Sequence, residues 1–347
     1  MTAAERALQR LDRLYAIGGG HGANRVGGTA AEDEACSLAA EWMAEAGLEV
    51  EWDAVGNVVG RLAGSRRELP EVWTGSHLDS VPAGGKFDGA LGVVAGLEAV
   101  GEAGPRERTL AVVVFRDEER GCHGSRARVV SGSLPGRYVE LHIEQGPVLE
   151  RAGAPLGVVT GIVGYARREL VFDGVAGHAG TTPMSARDDA LCRAAEFVLH
   201  VRNAARAIDG AVATVGHIEV EPGAVNVVPG RVRLTVDARA PDADRLTRLL
   251  DAIGVDAEPR NDPVAMDDGV CAVLREELVR RGLPAPELAS GAGHDAGILA
   301  SAGVASGMLF VRSLNGGVSH SPDESTSEQD IALAIETLAA ALGRLAG

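Results

Sequence analysis

Apolar residues recur at helical spacing from the start of the chain: Leu8, Leu11, Leu14 and Tyr15 mark one face of an amphipathic helix over 2–16. A second helix is expected over 32–46, with Leu38, Trp42 and Met43 facing inward and Gly47 as its C-terminal stop. The pattern then changes to strands, 48–52 and 55–61, with Val55-Gly56-Asn57 near their turn. Three short apolar runs, 71–76, 110–115 and 138–143, suit strands buried on both faces of a largely parallel sheet. A Gly- and Ala-rich apolar helix over 90–100 separates the first two runs. Strand–helix–strand alternation of this kind predicts an α/β fold, a mixed, largely parallel sheet flanked by helices.

The character shifts near 161–164. Strands over 167–172, 213–220 and 232–238, with helices over 189–207 and 242–253, make a smaller α+β unit spanning 164–262. Beyond Pro263 a helix (270–281), a buried strand (306–311) and a terminal helix (327–345) resume the first pattern. The expected organisation is therefore discontinuous, one domain of residues 1–163 and 263–347 with a second inserted at 164–262. A chain of 347 residues has room for both.

Charge narrows the function classes. Lys and Arg number 33 against 49 Asp and Glu, a net charge of −16. Such a surface repels phosphate backbones and anionic lipid, which argues against nucleic-acid and membrane partners. No apolar run approaches the ~20 residues needed to span a bilayer, and the N-terminus reads as a polar helix rather than a signal peptide, so the cytoplasm is the expected location. Cys36, Cys122, Cys192 and Cys271 are scattered and are expected to be free thiols. The 46 glycines cluster beside His, Asp and Glu, which points to tight turns around a polar site.

His77 and Asp79 fall at the end of an expected strand, and Asp88 follows eleven residues after His77, just before a helix. Strand ends of open α/β sheets are where ligands bind. An imidazole and a carboxylate there suit a divalent metal, with Asp79 able to fix the His77 tautomer; the alternative is a surface loop with one His. The run 110–115 leads into Asp117-Glu118-Glu119, three acids whose repulsion a cation would relieve. One carboxylate of such a set can hold metal while its neighbour acts as a base on water; the alternative is a solvated acidic loop. Period-two alternation puts His142 and Glu144 on one strand face, and His320 lies in a Gly-rich loop near the C-terminus. Together His77, Asp88, Glu119, His142 and His320 form an N/O ligand set for two metals, without cysteine.

The order GSHLDSVPAGGKFDG, a Glu-Glu pair, HIEQGPVLE, GHAGTTPM, NVVPG, SGAGHDAG and GVSHSPDE resembles the metal-dependent amidohydrolases of the M20 peptidase superfamily. Within it, the chain is most similar to the hydantoinase/carbamoylase amidases: N-carbamoyl-L-amino acid hydrolases, allantoate amidohydrolases and β-ureidopropionases. The resemblance runs from about residue 23 to 324. It implies that Asp88 bridges two divalent ions, Zn or Mn with Co or Ni also acceptable. His77 and His142 would complete one ion, Glu119 and His320 the other. Glu118 would be the general base toward a water shared by the ions. Arg239 resembles the arginine that binds a substrate carboxylate, for which a planar guanidinium is suited; the alternative pairs it with Asp237. Asn226 and Gln145 resemble amides that hydrogen-bond the substrate, and His178 a lid histidine acting on the scissile carbonyl, in relatives often from the partner subunit. His294 would line the substrate; the alternative is an N-cap at Asp295 beside a structural His.

The implied activity is cleavage of the carbamoyl C–N bond of an N-carbamoyl-L-amino acid, a small carboxylate-bearing ureido substrate. The inserted domain would serve as lid and homodimer surface. Allantoate or N-carbamoyl-β-alanine are alternative substrates; an M20 aminoacylase or dipeptidase, or an inactive binding protein, are more distant readings. Two features depart from the family pattern. Arg120 stands where Gly usually follows the acidic pair, and only 22 residues separate Glu119 from His142.

Overall fold

A computed structural model describes residues 1–132 and 134–347. The chain divides into two compact units, Met1–Ile162 with Ala265–Gly347, and Val163–Val264.

In the first unit the core of the sheet is four parallel strands in the order Leu110–Phe115, Val72–His77, Arg137–Ile143 and Ala305–Val311. They are buried almost throughout, which is why they read in the sequence as continuous apolar runs rather than alternating ones. Antiparallel strands extend both sides: Val58–Leu62 and Glu49–Trp52 beyond the first, Leu156–Ile162 beyond the last. Glu287–Ser290 then pairs parallel to Leu156–Ile162. The helix Ala90–Ala103 is buried along nearly its whole length, and the helices Ala3–Ala16 and Glu328–Ala346 pack against it. The helix Ala30–Glu45 covers Val58–Leu62, burying Trp42 and Met43 and leaving Leu38 half-buried.

The second unit has three antiparallel strands, Gly164–Asp173, Arg231–Ala240 and Val212–Glu221, with Arg231–Ala240 central. Its inward residues Val232, Leu234, Val236, Ala238 and Ala240 meet the helices Ala190–Arg206 and Ala243–Ile253 in one apolar core. Asp189 and Asp242 cap those two helices by accepting backbone N–H groups of their first turns. A two-residue ladder joins Gly177–His178 to Val227–Val228.

Several boundaries differ from expectation. The second strand begins at Val58, because the Asp53 carboxylate accepts the N–H groups of Val55 and Asn57 and closes a turn there. Glu144 lies past the end of its strand; its carboxylate accepts the N–H groups of Val148 and Leu149 and starts the helix Val148–Ala152. His123–Ser131 and Asp295–Ser301 are helices, and Leu156–Ile162 and Glu287–Ser290 strands, that the apolar pattern did not single out.

Candidate metal centre

The four parallel strands point their carboxyl ends at one place. Val72–His77 ends on His77, whose Nδ1 lies 3.2 Å from the Asp79 carbonyl oxygen and 3.3 Å from Asp79 Oδ1. A carbonyl only accepts, so Nδ1 carries a proton and Nε2 is the nitrogen left to face a metal. His77 Nε2 is 3.8 Å from Asp88 Oδ1 and 3.8 Å from Glu118 Oε2. The fully buried Arg25 grips the chain just beyond, donating to the Leu78 carbonyl at 2.7 Å. Gly89, at φ +61°, follows Asp88; a Cβ there would collide with the His77 ring.

His142 donates from Nδ1 to the Ile143 carbonyl at 2.9 Å, and its Nε2 lies 3.2 Å from Asp88 Oδ1. Asp88 Oδ2 is 3.3 Å from His320 Nε2, which is 3.5 Å from Glu119 Oε2. Three groups result, each with its ligand atoms within 4.8 Å of one another: His77–Asp88–His142 and Asp88–Glu119–His320, which share Asp88, and Glu140–His142–His294. Asp79 accepts the N–H groups of Glu118 at 3.0 Å and Glu119 at 3.1 Å, so one buried carboxylate orients both His77 and the acidic pair.

The electrostatics are those of a site built for cations. Burial, with Asp295 and Glu119 nearby, pushes Glu118 well above the ordinary carboxylate range against the pull of His77. Burial acts against the charged form of His77, but the carboxylates of Glu118, Asp79 and Asp88 outweigh it and hold the imidazole well above its usual value. His320 is pushed up to about 9, chiefly by its hydrogen bond with Asp88. Imidazolium charge thus balances acids that a divalent ion would otherwise balance. Glu119 Oε1 is buried with no hydrogen-bond partner among the described residues. That free oxygen and the all-N/O donor set fit divalent ions of the Zn, Mn, Co, Ni group.

Around the ligands, Gln145 donates to Asp88 Oδ2 at 2.8 Å and to Ser319 Oγ at 3.3 Å. His294 is buried edge-on against His142, centroids 4.5 Å apart, with Nε2 2.8 Å from Ser290 Oγ. Burial, with His142 beside it, holds His294 well below its ordinary value and keeps it neutral. His294 itself, not Asp295, occupies the N-cap position of Asp295–Ser301, and its side chain makes no capping bond. Arg120 explains its own presence: Asp117, at φ +53°, accepts both its Nε and Nη2 at 2.7 Å, clamping the turn behind Glu118.

In the second unit, the segments that carry His178 and Asn226 run side by side. Ala179 N–H donates to the Asn226 carbonyl at 2.9 Å beside the His178–Val227 pairing. Arg239 lies on the outer face of its strand, and its Nε and Nη2 donate to Asp237 at 2.7 and 3.1 Å.

Several residues escaped the sequence reading. Glu32, fully buried, accepts the N–H groups of Gly28 at 2.6 Å and Asp117 at 2.8 Å and pairs with Arg116. Glu140 accepts from the Ser76 hydroxyl and the Ala296 N–H. Glu140 sits two residues before His142 in one strand, so alternation could have signalled it; nothing local marks Glu32.

Residues 73–344 match the model of peptidase family M20/M25/M40. The chain belongs to this family. Its members are metal-dependent, and the converging ligands are groups that could hold such ions. The chain is 38% identical to the N-carbamoyl-L-amino acid amidohydrolase of Geobacillus stearothermophilus over 97% of each protein. It is 35% identical to the allantoate amidohydrolase of Escherichia coli (strain K12) over 88% of each. Among solved structures, a hydantoinase/carbamoylase family amidase from Burkholderia multivorans superposes with a TM-score of 0.89 at 31% identity, covering 99% of this chain and 98% of that one. The Geobacillus alignment runs over 402 positions, more than the 347 residues here, so that M20 relative carries segments this chain lacks.

Proposed function

We propose that this M20 protein is an amidohydrolase that cleaves the carbamoyl C–N bond of N-carbamoyl-L-amino acids, yielding the L-amino acid, ammonia and carbon dioxide. The observation that carries the reading is the buried Asp88 shared by two ligand groups with Glu118 beside them. The full-length similarity to an N-carbamoyl-L-amino acid amidohydrolase supplies the substrate class.

His77, Asp88 and His142 would hold one divalent ion and Asp88, Glu119 and His320 a second. Two such ions polarise a carbonyl and lower the pKa of water. Glu118 is the proton carrier. Its backbone N–H is held by Asp79, and its carboxylate takes a proton from water and delivers it to the leaving nitrogen. Arg239 is assigned to the substrate carboxylate, exchanging its bond to Asp237 for the ligand. His178, Asn226, Gln145 and His294 are assigned to the ureido group. We assign the Val163–Val264 unit the part of lid and homodimer surface; light scattering on an active sample tests the dimer, and a fully active monomer overturns it.

The test is ammonia release from N-carbamoyl-L-amino acids, N-carbamoyl-β-alanine and allantoate. Chelator-stripped protein is reloaded with Zn or with Mn, beside Glu118→Gln. Metal-dependent turnover of the first class alone supports the proposal. Turnover of allantoate alone moves it to that branch, and silence on the whole panel with metal bound overturns it.

A further inference from the structure

Asp88 and His320, which would complete the second ion site with Glu119, come from loops 232 residues apart, and His320 is half exposed. One buried side chain ties these loops together. Glu324 Oε1 accepts the N–H groups of Phe87 at 2.7 Å and of Asp88 itself at 3.0 Å. Its Oε2 accepts the hydroxyl of Ser319, the residue before His320, at 2.9 Å. Ser319 Oγ lies in turn 3.4 Å from Asp88 Oδ2. Gly85 is the position that admits this acid, since a Cβ there would collide with the Glu324 carboxylate. His320 sits at φ +54°, a conformation a histidine holds only where the surrounding loop imposes it.

We infer that Glu324, through Ser319, is a positioning residue that sets the affinity of the Asp88–Glu119–His320 site and leaves the His77–Asp88–His142 site loaded. The inner site has its own support. His77 and His142 are oriented by the Asp79 and Ile143 carbonyls, neither of which touches Glu324, so of the inner ligands only Asp88 is reached by Glu324, at its backbone N–H. The outer site depends on a loop tied to Asp88 through the Glu324 carboxylate, the Ser319 hydroxyl, the Gln145 amide and His320 itself. Outer partners of metal ligands are typically worth about 10–100-fold in metal affinity.

The inference rests on the two-ion reading above, and metal binding tests it without any substrate. Stripped protein is titrated with Co(II) against a chelator of known affinity, following stoichiometry and the visible absorption of each bound ion. His320→Ala supplies the reference spectrum for loss of the outer ion. Glu324→Ala is expected to bind one ion about 10–100-fold more weakly and the other with a smaller loss, since Asp88 serves both, with a residual spectrum matching the His320→Ala reference. Glu324→Gln, whose amide oxygen still accepts the two N–H groups, should recover most of the loss. Ser319→Ala, which cuts one limb only, should weaken the same ion by a smaller factor; it decides the matter should Glu324→Ala fail to fold. Two ions bound with wild-type affinity in Glu324→Ala and Ser319→Ala, or equal weakening of both ions, overturns the inference. Wild-type protein that takes up a single ion overturns the two-ion reading along with it. Wild-type protein that takes up two ions yet turns over no ureido substrate defeats the substrate assignment alone.

Discussion

At the scale of single residues, the centre depends on a few carboxylates whose surroundings give them different work. Glu118 and Glu119 are neighbours with both N–H groups on Asp79, yet Glu119 faces His320 and Glu118 faces His77. Replacing Glu118, the proposed proton carrier, without changing its shape separates the two duties. Glu118→Gln is expected to retain its metal content by elemental analysis while kcat falls about 10²–10⁴-fold; a variant with near-normal kcat would assign the base elsewhere. Gly89 is a second sensitive position, since it combines a left-handed backbone with contact against the His77 ring. Gly89→Ala should cost about 1–3 kcal/mol in denaturant unfolding and weaken metal uptake. Unchanged unfolding would show that the ring moves aside at no cost.

At the scale of elements, the turn that follows Leu110–Phe115 shows how a local departure from a family pattern is accommodated. Arg120 and Asp117 form a bidentate pair there, but Arg120 is more than half exposed, and the fully buried Glu32 already holds the Asp117 N–H. Arg120→Ala should therefore cost under about 1 kcal/mol, a loss readable in a denaturant midpoint. The strand Arg231–Ala240 offers a pH test. Burial would raise the Asp237 carboxyl, but hydrogen bonds from Arg239 and Arg167 outweigh it and hold the group below its ordinary value. A depressed carboxyl stabilises the fold at and above its unfolded pKa of about 3.9, and that contribution is lost as pH falls through the lower folded value. The stability difference between wild type and Asp237→Asn should accordingly be present at pH 6 and vanish toward pH 2. A difference that persists at the acid end would mean that the pair acts by packing rather than by charge.

At the scale of the whole molecule, the metal centre joins strands and loops from both ends of the chain, from His77 to His320. Four carboxylates, Asp79, Asp88, Glu118 and Glu119, crowd a largely buried space. Chelation removes the divalent charge that offsets their repulsion, so stripped protein should melt lower than loaded protein, and the gap should widen with free metal as mass action requires. A melting temperature indifferent to chelator and to added Zn would show that the acids are stable without ions. Among the described residues no helix is long and apolar enough to cross a membrane, in keeping with the absence of long apolar runs in the sequence.

Much of this was legible in the sequence because its cause is local. The four central strands are buried on both faces, so their apolar runs stand out without knowledge of their partners; His77, Glu118 and His142 sit at or just beyond strand ends that those runs define, and Asp88 just before the apolar helix that follows. The α/β class followed from the same burial, and the strand expected over 232–238 is Arg231–Ala240, which buries one face only. What tertiary structure alone decided is which distant groups satisfy each other. Leu156–Ile162 becomes a strand by pairing with Ala305–Val311, and Glu144 leaves its strand to cap a helix. Glu32 and Glu324 reach backbone N–H groups 85 and 236 residues away. A buried donor must find an acceptor, but any loop that folding brings near can provide it. The chemistry of the ligands is therefore written locally, whereas the scaffold that aims them is settled only when the chain closes on itself.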